Sequence, residues 1–275
     1  MRADLHVHST YSDGLYSPDE VCKRAKAKGV QLLSITDHDT LEGLEVKMQA
    51  AKKYALAFVS GWEISAYEGM EKIHMLGYGC EKNEAYEKFL EARKAASMAR
   101  ALDSVQKLNK LGIPIRIEDI EAEHKDKNSP IHTMHVSRAL AKYVGGDSRM
   151  AYDTYLNVGR PANSNIGRPS PREAIDCIHA LGGVAVIAHP GRITLPAVEI
   201  FKLIKSLADY GMDGIEGYYT THTDRETAAF CALAKELGLL ITGGSDTHYE
   251  EETHTFGKPE FYVDEAFLRA VSIMK

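Results

Sequence analysis

Short apolar, β-branched runs alternate with amphipathic stretches at both ends of the chain, and several of the runs stop at polar residues. Residues 17–29 carry Val21, Cys22 and Ala25 at helical spacing. Ser17 stands at the N-cap, Pro18 in the first turn, and Glu20 completes a capping box before Gly29. A strand over 31–36, a helix over 41–54 and strands ending at Glu63 and near Tyr78 follow. The rhythm resumes at a second capping box, Ser170-Pro171-Arg172-Glu173. It continues through a strand before His189, a helix near 196–210, the strand Gly214-Ile215-Glu216, a helix near 224–237 and a strand before Asp246. Between these halves the strand signal fades. Residues 84–111 predict one long helix and 117–156 two or three shorter ones, with the Pro- and Gly-containing stretch 159–171 leading back. Strands alternating with helices predict an α/β fold, and polar residues gathered at strand ends favour a barrel of parallel strands over an open sheet. The expected domains are residues 1–83 with 170–275 as the barrel and 84–169 as an inserted helical cap.

The residues that end the apolar runs carry the chemistry. In Leu5-His6-Val7-His8 alternate side chains of an extended segment face the same way, so His6 and His8 point together. Taken alone, such a pair equally describes one packed and one solvated imidazole. The pattern recurs, however, in Thr36-Asp37-His38-Asp39, Gly61-Trp62-Glu63, Ile73-His74, Ile187-Ala188-His189-Pro190 and Ser245-Asp246-Thr247-His248. Buried imidazoles and carboxylates are costly unless paired or bound to a cation, so their convergence predicts a multinuclear metal centre. Mixed nitrogen and oxygen donors suit manganese, iron(II) or zinc better than calcium or magnesium.

Composition narrows the setting. With 275 residues, 44% of them hydrophobic, the chain can bury a substantial core, and it has no apolar run of membrane-spanning length. The opening Met1-Arg2-Ala3-Asp4 runs directly into the first strand, which predicts a cytoplasmic location. Cys22, Cys80, Cys177 and Cys231 lack Cys-x-x-Cys spacing and read as reduced thiols, two of them in amphipathic helices. A formal charge of −6 disfavours the broad basic surface needed to hold long nucleic acid, and small substrates fit better. Three divalent ions would add about six positive charges at one place, so the site itself would be cationic.

The motifs LHVHSTYSDG, TDHDT, GWEIS, KIHMLGY, HVSRAL, VIAHPG and GSDTH, in this order, resemble those of the PHP (polymerase and histidinol phosphatase) family of metal-dependent phosphoesterases. The resemblance runs along nearly the whole chain. It implies a distorted seven-stranded (β/α) barrel with three divalent metal ions, and it implies the ligands His6, His8, Asp13, His38, Glu63, His74, His135, His189, Asp246 and His248. It groups His6, His8, Glu63 and Asp246 on one ion, Glu63, His74 and His135 on a second, and Asp13, His38, His189 and His248 on a third. His135 rests on the resemblance alone, since it falls in the helical insertion. The remaining His124, His132, His179 and His254 lack motif support and read as surface or packing residues.

The subgroup resembled comprises small bacterial members with a helical insert, which implies hydrolysis of a phosphate monoester of AMP or a nucleoside 3′,5′-bisphosphate by metal-activated hydroxide. A 5′–3′ exonuclease on short oligonucleotides and a histidinol-phosphate-type phosphatase are the alternatives, followed by a non-catalytic metal-binding module. An amidohydrolase would need a strand-end lysine, and the sequence offers no obvious one. Guanidinium groups at the phosphate are expected from Arg100, Arg138 and Arg160, then Arg192 and Arg93. Arg93 and Arg100, seven apart, share a helix face. Ser97 and Ala162-Asn163-Ser164 depart from the residues usual in relatives, which implies a retuned pocket. His222 is a candidate proton donor to the leaving oxygen, and Tyr218 and Tyr219 are candidates to stack on a base or to pack. The oligomeric state has no sequence signal.

Overall fold

The computed structural model describes residues 1–124 and 130–271. In chain order the elements begin β1 (Arg2–Asp4), α1 (Pro18–Ala27), β2 (Leu32–Leu33), α2 (Leu44–Lys53), β3 (Ala57–Phe58), β4 (Gly61–Glu68) and β5 (Glu71–Tyr78). A helical stretch follows, with α3 (Glu84–Lys110), α4 (Ile117–Glu123), α5 (Thr133–Val144), α6 (Ser148–Ala151) and a π-helical turn, Tyr152–Leu156. The chain continues through α7 (Pro171–Ala180), β6 (Val184–Ile187), a 3₁₀ turn (Pro190–Arg192), α8 (Ala197–Tyr210), β7 (Gly214–Tyr219), α9 (Asp224–Leu237), β8 (Leu240–Gly244), β9 (Phe261–Tyr262) and α10 (Glu265–Ala270).

The chain divides into two compact units. The first comprises residues 1–66, 73–85 and the described residues from 170 onward; the second comprises Tyr67–Lys72 and Tyr86–Pro169.

The α/β pattern read from the sequence is present. One sheet has the order β3-β2-β1-β9 and the other β4-β5-β6-β7-β8. Backbone bonds beyond these ladders join them. Leu5 N donates to Gly243 O (3.1 Å) and His8 N to Thr247 O (3.0 Å), linking the end of β1 to β8. Asp39 N donates to Glu63 O (2.8 Å) and Glu63 N to Asp37 O (3.2 Å), linking the end of β2 to β4.

Several expectations change. Not all strands are parallel, because β5 pairs antiparallel with β6 and β9 antiparallel with β1. The regular part of β1 ends at Asp4, and His6 and His8 lie beyond it on extended backbone held by the Val7–Thr247 bridge. β4 and β5 run past Glu63 and through His74, so both lie inside their strands; Ile64 and Ala66 continue the buried face of β4. α2 starts at Leu44 instead of Leu41, because Gly43 takes a left-handed φ of 69° as its N-cap. Both predicted capping boxes sit at helix starts; that of α7 is complete, with Ser170 and Glu173 exchanging bonds, while at α1 Ser17 accepts from Glu20 N.

Each unit has its own apolar core. In the first, Ala3, Leu5, Leu32, Val59, Leu76, Val186, Ala188 and Phe261 pack together, and Val21, Cys22, Ala25, Leu33 and Ile35 pack beneath α1 and α2. In the second, Ala101, Val105 and Leu108 of α3 pack with Ile120, Ile131, Val136, Leu140 and Leu156. The second unit is thus a folded, mostly helical body with its own interior.

Candidate metal centre

Nine of the ten expected ligands lie in the first unit. The strand and turn ends of that unit bring them around two buried carboxylates, Glu63 and Asp246. Glu63 Oε2 lies 3.3 Å from His6 Nε2, 3.2 Å from His8 Nε2 and 3.0 Å from His38 Nδ1. Its Oε1 faces another pair, 2.6 Å from His74 Nδ1 and 3.1 Å from His189 Nε2. Asp246 Oδ1 lies 3.4 Å from His6 Nε2, 3.1 Å from His8 Nε2 and 3.5 Å from His248 Nδ1. Asp13 Oδ1 lies 3.2 Å from His248 Nε2. Three sets have metal-compatible spacing: His6, His8, Glu63 and Asp246; His38, Glu63 and His74; and His8, Asp13, His38 and His248. His8, His38 and Glu63 are each shared by two sets.

The first set matches the expected grouping, and the others differ from it. His38 replaces His135 beside Glu63 and His74, while His8 replaces His189 beside Asp13 and His248. His189 turns instead toward Glu63 and His74, whose Nδ1 is 3.3 Å from its Nε2. His135 belongs to the second unit, where its Nδ1 accepts from His132 N (3.0 Å) and its ring lies 4.9 Å from that of His124.

Several buried atoms of the cluster lack a well-formed hydrogen bond although imidazoles and carboxylates stand within ion-pair distance of one another: His6 Nε2, both nitrogens of His8, His38 Nδ1, Glu63 Oε2, His189 Nδ1 and Asp246 Oδ1. A folded protein rarely leaves such groups unsatisfied. Their number and convergence fit a centre built for cations, and mixed imidazole and carboxylate donors suit first-row divalent metals.

The charges show the same demand. Burial pushes the Glu63 carboxyl up, but the His74, His38 and His6 imidazoles override it and hold it well below the ordinary range. Asp246, likewise lifted by burial, is held well down by His6, His8 and His248. Reciprocally, burial lowers His6, yet Glu216, Glu63 and Asp246 leave it well above the ordinary histidine value. His248, despite burial, is pushed up to about 9 by Asp13 and Asp246. Without metal, protonated imidazoles supply the positive charge that the carboxylates need.

The surrounding structure aims these groups. Glu216, at the middle of β7 and fully buried, accepts from His6 Nδ1 (2.9 Å) and from His189 N (2.7 Å), which leaves His6 Nε2 to face inward. Asp4 accepts from Ser245 N (2.9 Å), Ser245 Oγ (2.8 Å) and Gly257 N (2.8 Å), fixing the turn that carries Asp246 and His248. Tyr219 Oη donates to Asp246 Oδ2 (2.8 Å), so this tyrosine serves the site by a hydrogen bond; its neighbour Tyr218 packs on Phe261. Backbone strain is concentrated here. Asp39, His189 and Asp246 have positive φ values of 54°, 26° and 51°. Such conformations cost on the order of 1–3 kcal/mol each and persist where surrounding bonds enforce them. Gly244 is forced by contact, since a Cβ there would come within 2.4 Å of His6 Cβ.

The sequence pointed to neither Glu216 nor Asp4 as a site residue, although both carried a signal. Glu216 ends a strand that was predicted, and Asp4 shares the alternation of His6 and His8.

The cations and the proton-donor candidate are more dispersed. Arg192 Nη1 donates to Tyr219 Oη (2.9 Å) and lies 3.3 Å from Asp246 Oδ2, with its side chain 55% exposed. In the second unit, Arg93 and Arg100 are buried and donate to Gly167 O (2.9 Å) and Ile166 O (3.1 Å), as their shared face implies. Arg100 also lines a small pocket with Ser97, Ser104, His132, Asn163 and Ser164. Arg138 and Arg160 are exposed in the same unit. His222 uses both nitrogens on backbone: Nε2 accepts from Gly191 N (3.1 Å), so the proton is on Nδ1, which donates to Gly217 O (3.1 Å). Burial pushes its pKa down.

Comparison with known proteins agrees with this geometry. Residues 4–155 match the PHP domain model. The chain is 34% identical to a 5′-3′ exoribonuclease of Haemophilus influenzae, covering 90% of this chain and 89% of that protein. It is 33% identical to a 3′,5′-nucleoside bisphosphate phosphatase of Chromobacterium violaceum, covering 89% and 86%. A solved structure of an amidohydrolase from Chromobacterium violaceum with bound sulfate superposes with a TM-score of 0.82 at 29% identity, covering 99% of this chain and 96% of that one. Among the described residues no helix is long and apolar enough to cross a membrane. From its motifs, its fold and its clusters of imidazole and carboxylate donors, the chain belongs to the PHP-domain family of metal-dependent phosphoesterases.

Proposed function

We propose that this protein hydrolyses the phosphate monoester of a small nucleotide, AMP or a nucleoside 3′,5′-bisphosphate. The observation that carries the reading is the convergence of unsatisfied buried donors on Glu63 and Asp246. The proposed ligands are His6, His8, Asp13, His38, Glu63, His74, His189, Asp246 and His248, holding up to three ions of manganese, iron or zinc. His135 is proposed as a ligand on the family resemblance only. Divalent ions at these positions would supply a nucleophile at neutral pH, by lowering the pKa of bound water toward about 7, and would neutralise charge on the phosphoryl oxygens.

The chain's own residues do the rest. Glu63, with each oxygen facing a different set of imidazoles, would contribute to two ion positions. Glu216 sets the tilt of His6 and of the His189 backbone. Arg192, half-exposed beside Asp246, is placed to grip a phosphate at this centre. Arg100, Arg138, Arg160 and Arg93 are proposed as further substrate contacts on the family resemblance only. His222 is proposed to hold the Pro190–Arg192 turn through Gly191 and not to donate a proton, because both its nitrogens are engaged. We also read β1-β2-β4-β5-β6-β7-β8 as a closed ring of seven strands, supported by the backbone bonds between the two sheets. Residues 84–169 are read as a helical insertion into that domain.

A 5′–3′ exonuclease on short oligonucleotides is the second reading, supported by similarity of the same degree to the exoribonuclease. One panel separates them. Protein loaded with manganese, iron or zinc is offered AMP, a nucleoside 3′,5′-bisphosphate, histidinol phosphate, a ribose cyclic phosphate and a 5′-phosphorylated short RNA. Release of inorganic phosphate from the bisphosphate or AMP is expected. Release of mononucleotides from RNA, with inert monoesters, selects the exonuclease.

A further inference from the structure

Three of the four residues converging on the Asp13 position are chain neighbours of groups that meet at one other buried carboxylate. Asp37 Oδ1 accepts from Ser9 N (2.7 Å) and Ser12 Oγ (2.8 Å), while Oδ2 accepts from Ser9 Oγ (2.7 Å). Ser9 follows His8, Ser12 precedes Asp13, and Asp37 itself precedes His38. The turn so tied is tight: Ser12 N and Gly14 N both donate to Ser9 O, at 3.1 and 3.0 Å. A Cβ on Gly14 would come within 2.6 Å of the His8 carbonyl, so the turn has no room to slide. Asp13 needs this support, because it is the only carboxylate of its set and its side chain is 38% exposed.

Asp37 is in turn held by Lys47, which reaches in from the first turn of α2. Lys47 Nζ lies 2.6 Å from Asp37 Oδ2, and the lysine side chain is 1% exposed. The Tyr11 ring lies over Nζ at 5.5 Å. That ring is pressed on Gly43, where a Cβ would come within 2.1 Å of it. A buried ion pair of this kind commonly adds little stability over an apolar pair of the same volume, because both ions must be desolvated. What the pair orients is therefore the better account of it.

We propose that Lys47 is a positioning residue for metal binding: through Asp37 it locks the turn around Asp13 and sets the affinity of the ion position formed by His8, Asp13, His38 and His248. This rests on reading the cluster as a multinuclear centre. Lys47 reaches the ligands through Asp37, so the position containing Asp13 is expected to weaken most when it is lost, and the positions that share only His8 or His38 with it less.

The test is metal stoichiometry and affinity of the full chain, by manganese(II) titration and elemental analysis, with circular dichroism and melting curves alongside. Asp13→Ala serves as the reference for loss of this position. Lys47→Met is expected to reproduce that loss, binding one equivalent about 10–100-fold more weakly than the parent. The double variant Lys47→Met/Asp37→Asn leaves no unpaired charge, so it decides the matter if the single variant fails to fold. It is expected to melt close to the parent and still bind that equivalent weakly. Full loading of folded Lys47→Met, or recovery of loading in the double variant, overturns the proposal, because the pair then only balances charge. A parent protein that binds no metal overturns the multinuclear reading itself, which is a separate result.

Discussion

Glu63 and Glu216 are both fully buried glutamates beside the same imidazoles, and they serve different ends. One offers oxygens to the centre; the other takes the outer nitrogen of His6 and the backbone of His189. Their substitutions should therefore separate. Asp246→Ala or Glu63→Ala is expected to abolish turnover while the circular dichroism spectrum is kept. Glu216→Gln should retain measurable activity at high metal, with metal affinity about 10–100-fold weaker; equal loss of activity at all metal concentrations would place Glu216 among the ligands. Much of this was legible in the sequence. Alternation placed His6 and His8 on one face, and Asp4 follows the same alternation. Lys47 was not legible, because a lysine on an amphipathic helix reads as solvated, and only the fold places Asp37 opposite it. Arg192→Ala should lower kcat/KM with metal loading unchanged, read by steady-state kinetics beside elemental analysis.

At the level of elements, capping chemistry transferred well because it is local. The Ser170 and Glu173 box opens α7 where the sequence placed it, and Ser170→Ala is expected to destabilise the fold by about 1 kcal/mol with little effect on turnover. A denaturant titration checks this; an unchanged midpoint would mean that packing alone sets the helix start. Strand direction was less legible. A run of apolar residues carries no sign of whether its partner is parallel, so the antiparallel pairing of β5 with β6 and the edge strand β9 came from the fold. The bounds of α2 shifted for a related reason: Gly43 at a positive φ fits beneath Tyr11, a contact between distant positions. The long helix over 84–111 is present as α3, and the two or three shorter helices read over 117–156 appear as α4, α5 and α6, followed by a π-helical turn.

For the molecule as a whole, the balance of buried charge predicts how stability depends on pH. Burial pushes the imidazoles down, but neighbouring carboxylates leave His6, His38 and His248 raised, the last from 6.5 to about 9. A raised histidine contributes stability that is complete below its ordinary value and is lost as pH climbs through the folded value. The depressed carboxylates of Glu63, Asp13 and Asp246 contribute in the opposite sense, losing their share only in acid. Chelator-stripped protein should therefore melt at progressively lower temperature between about pH 7 and 9.5. The stabilisation given by added metal should grow over the same interval, because fewer protons must be displaced from the ligands. Melting curves with and without chelator test both statements, and a stripped protein whose Tm is flat across that range would contradict the first.

One consequence follows from the way Glu63 turns one oxygen to His6, His8 and His38 and the other to His74 and His189. Truncating that one side chain takes an oxygen from both groups of imidazoles at once, so Glu63→Ala is expected to weaken more than one ion position, whereas Asp13→Ala weakens chiefly one. Native mass spectrometry of the two variants at limiting manganese would show the difference, and equal losses would contradict it.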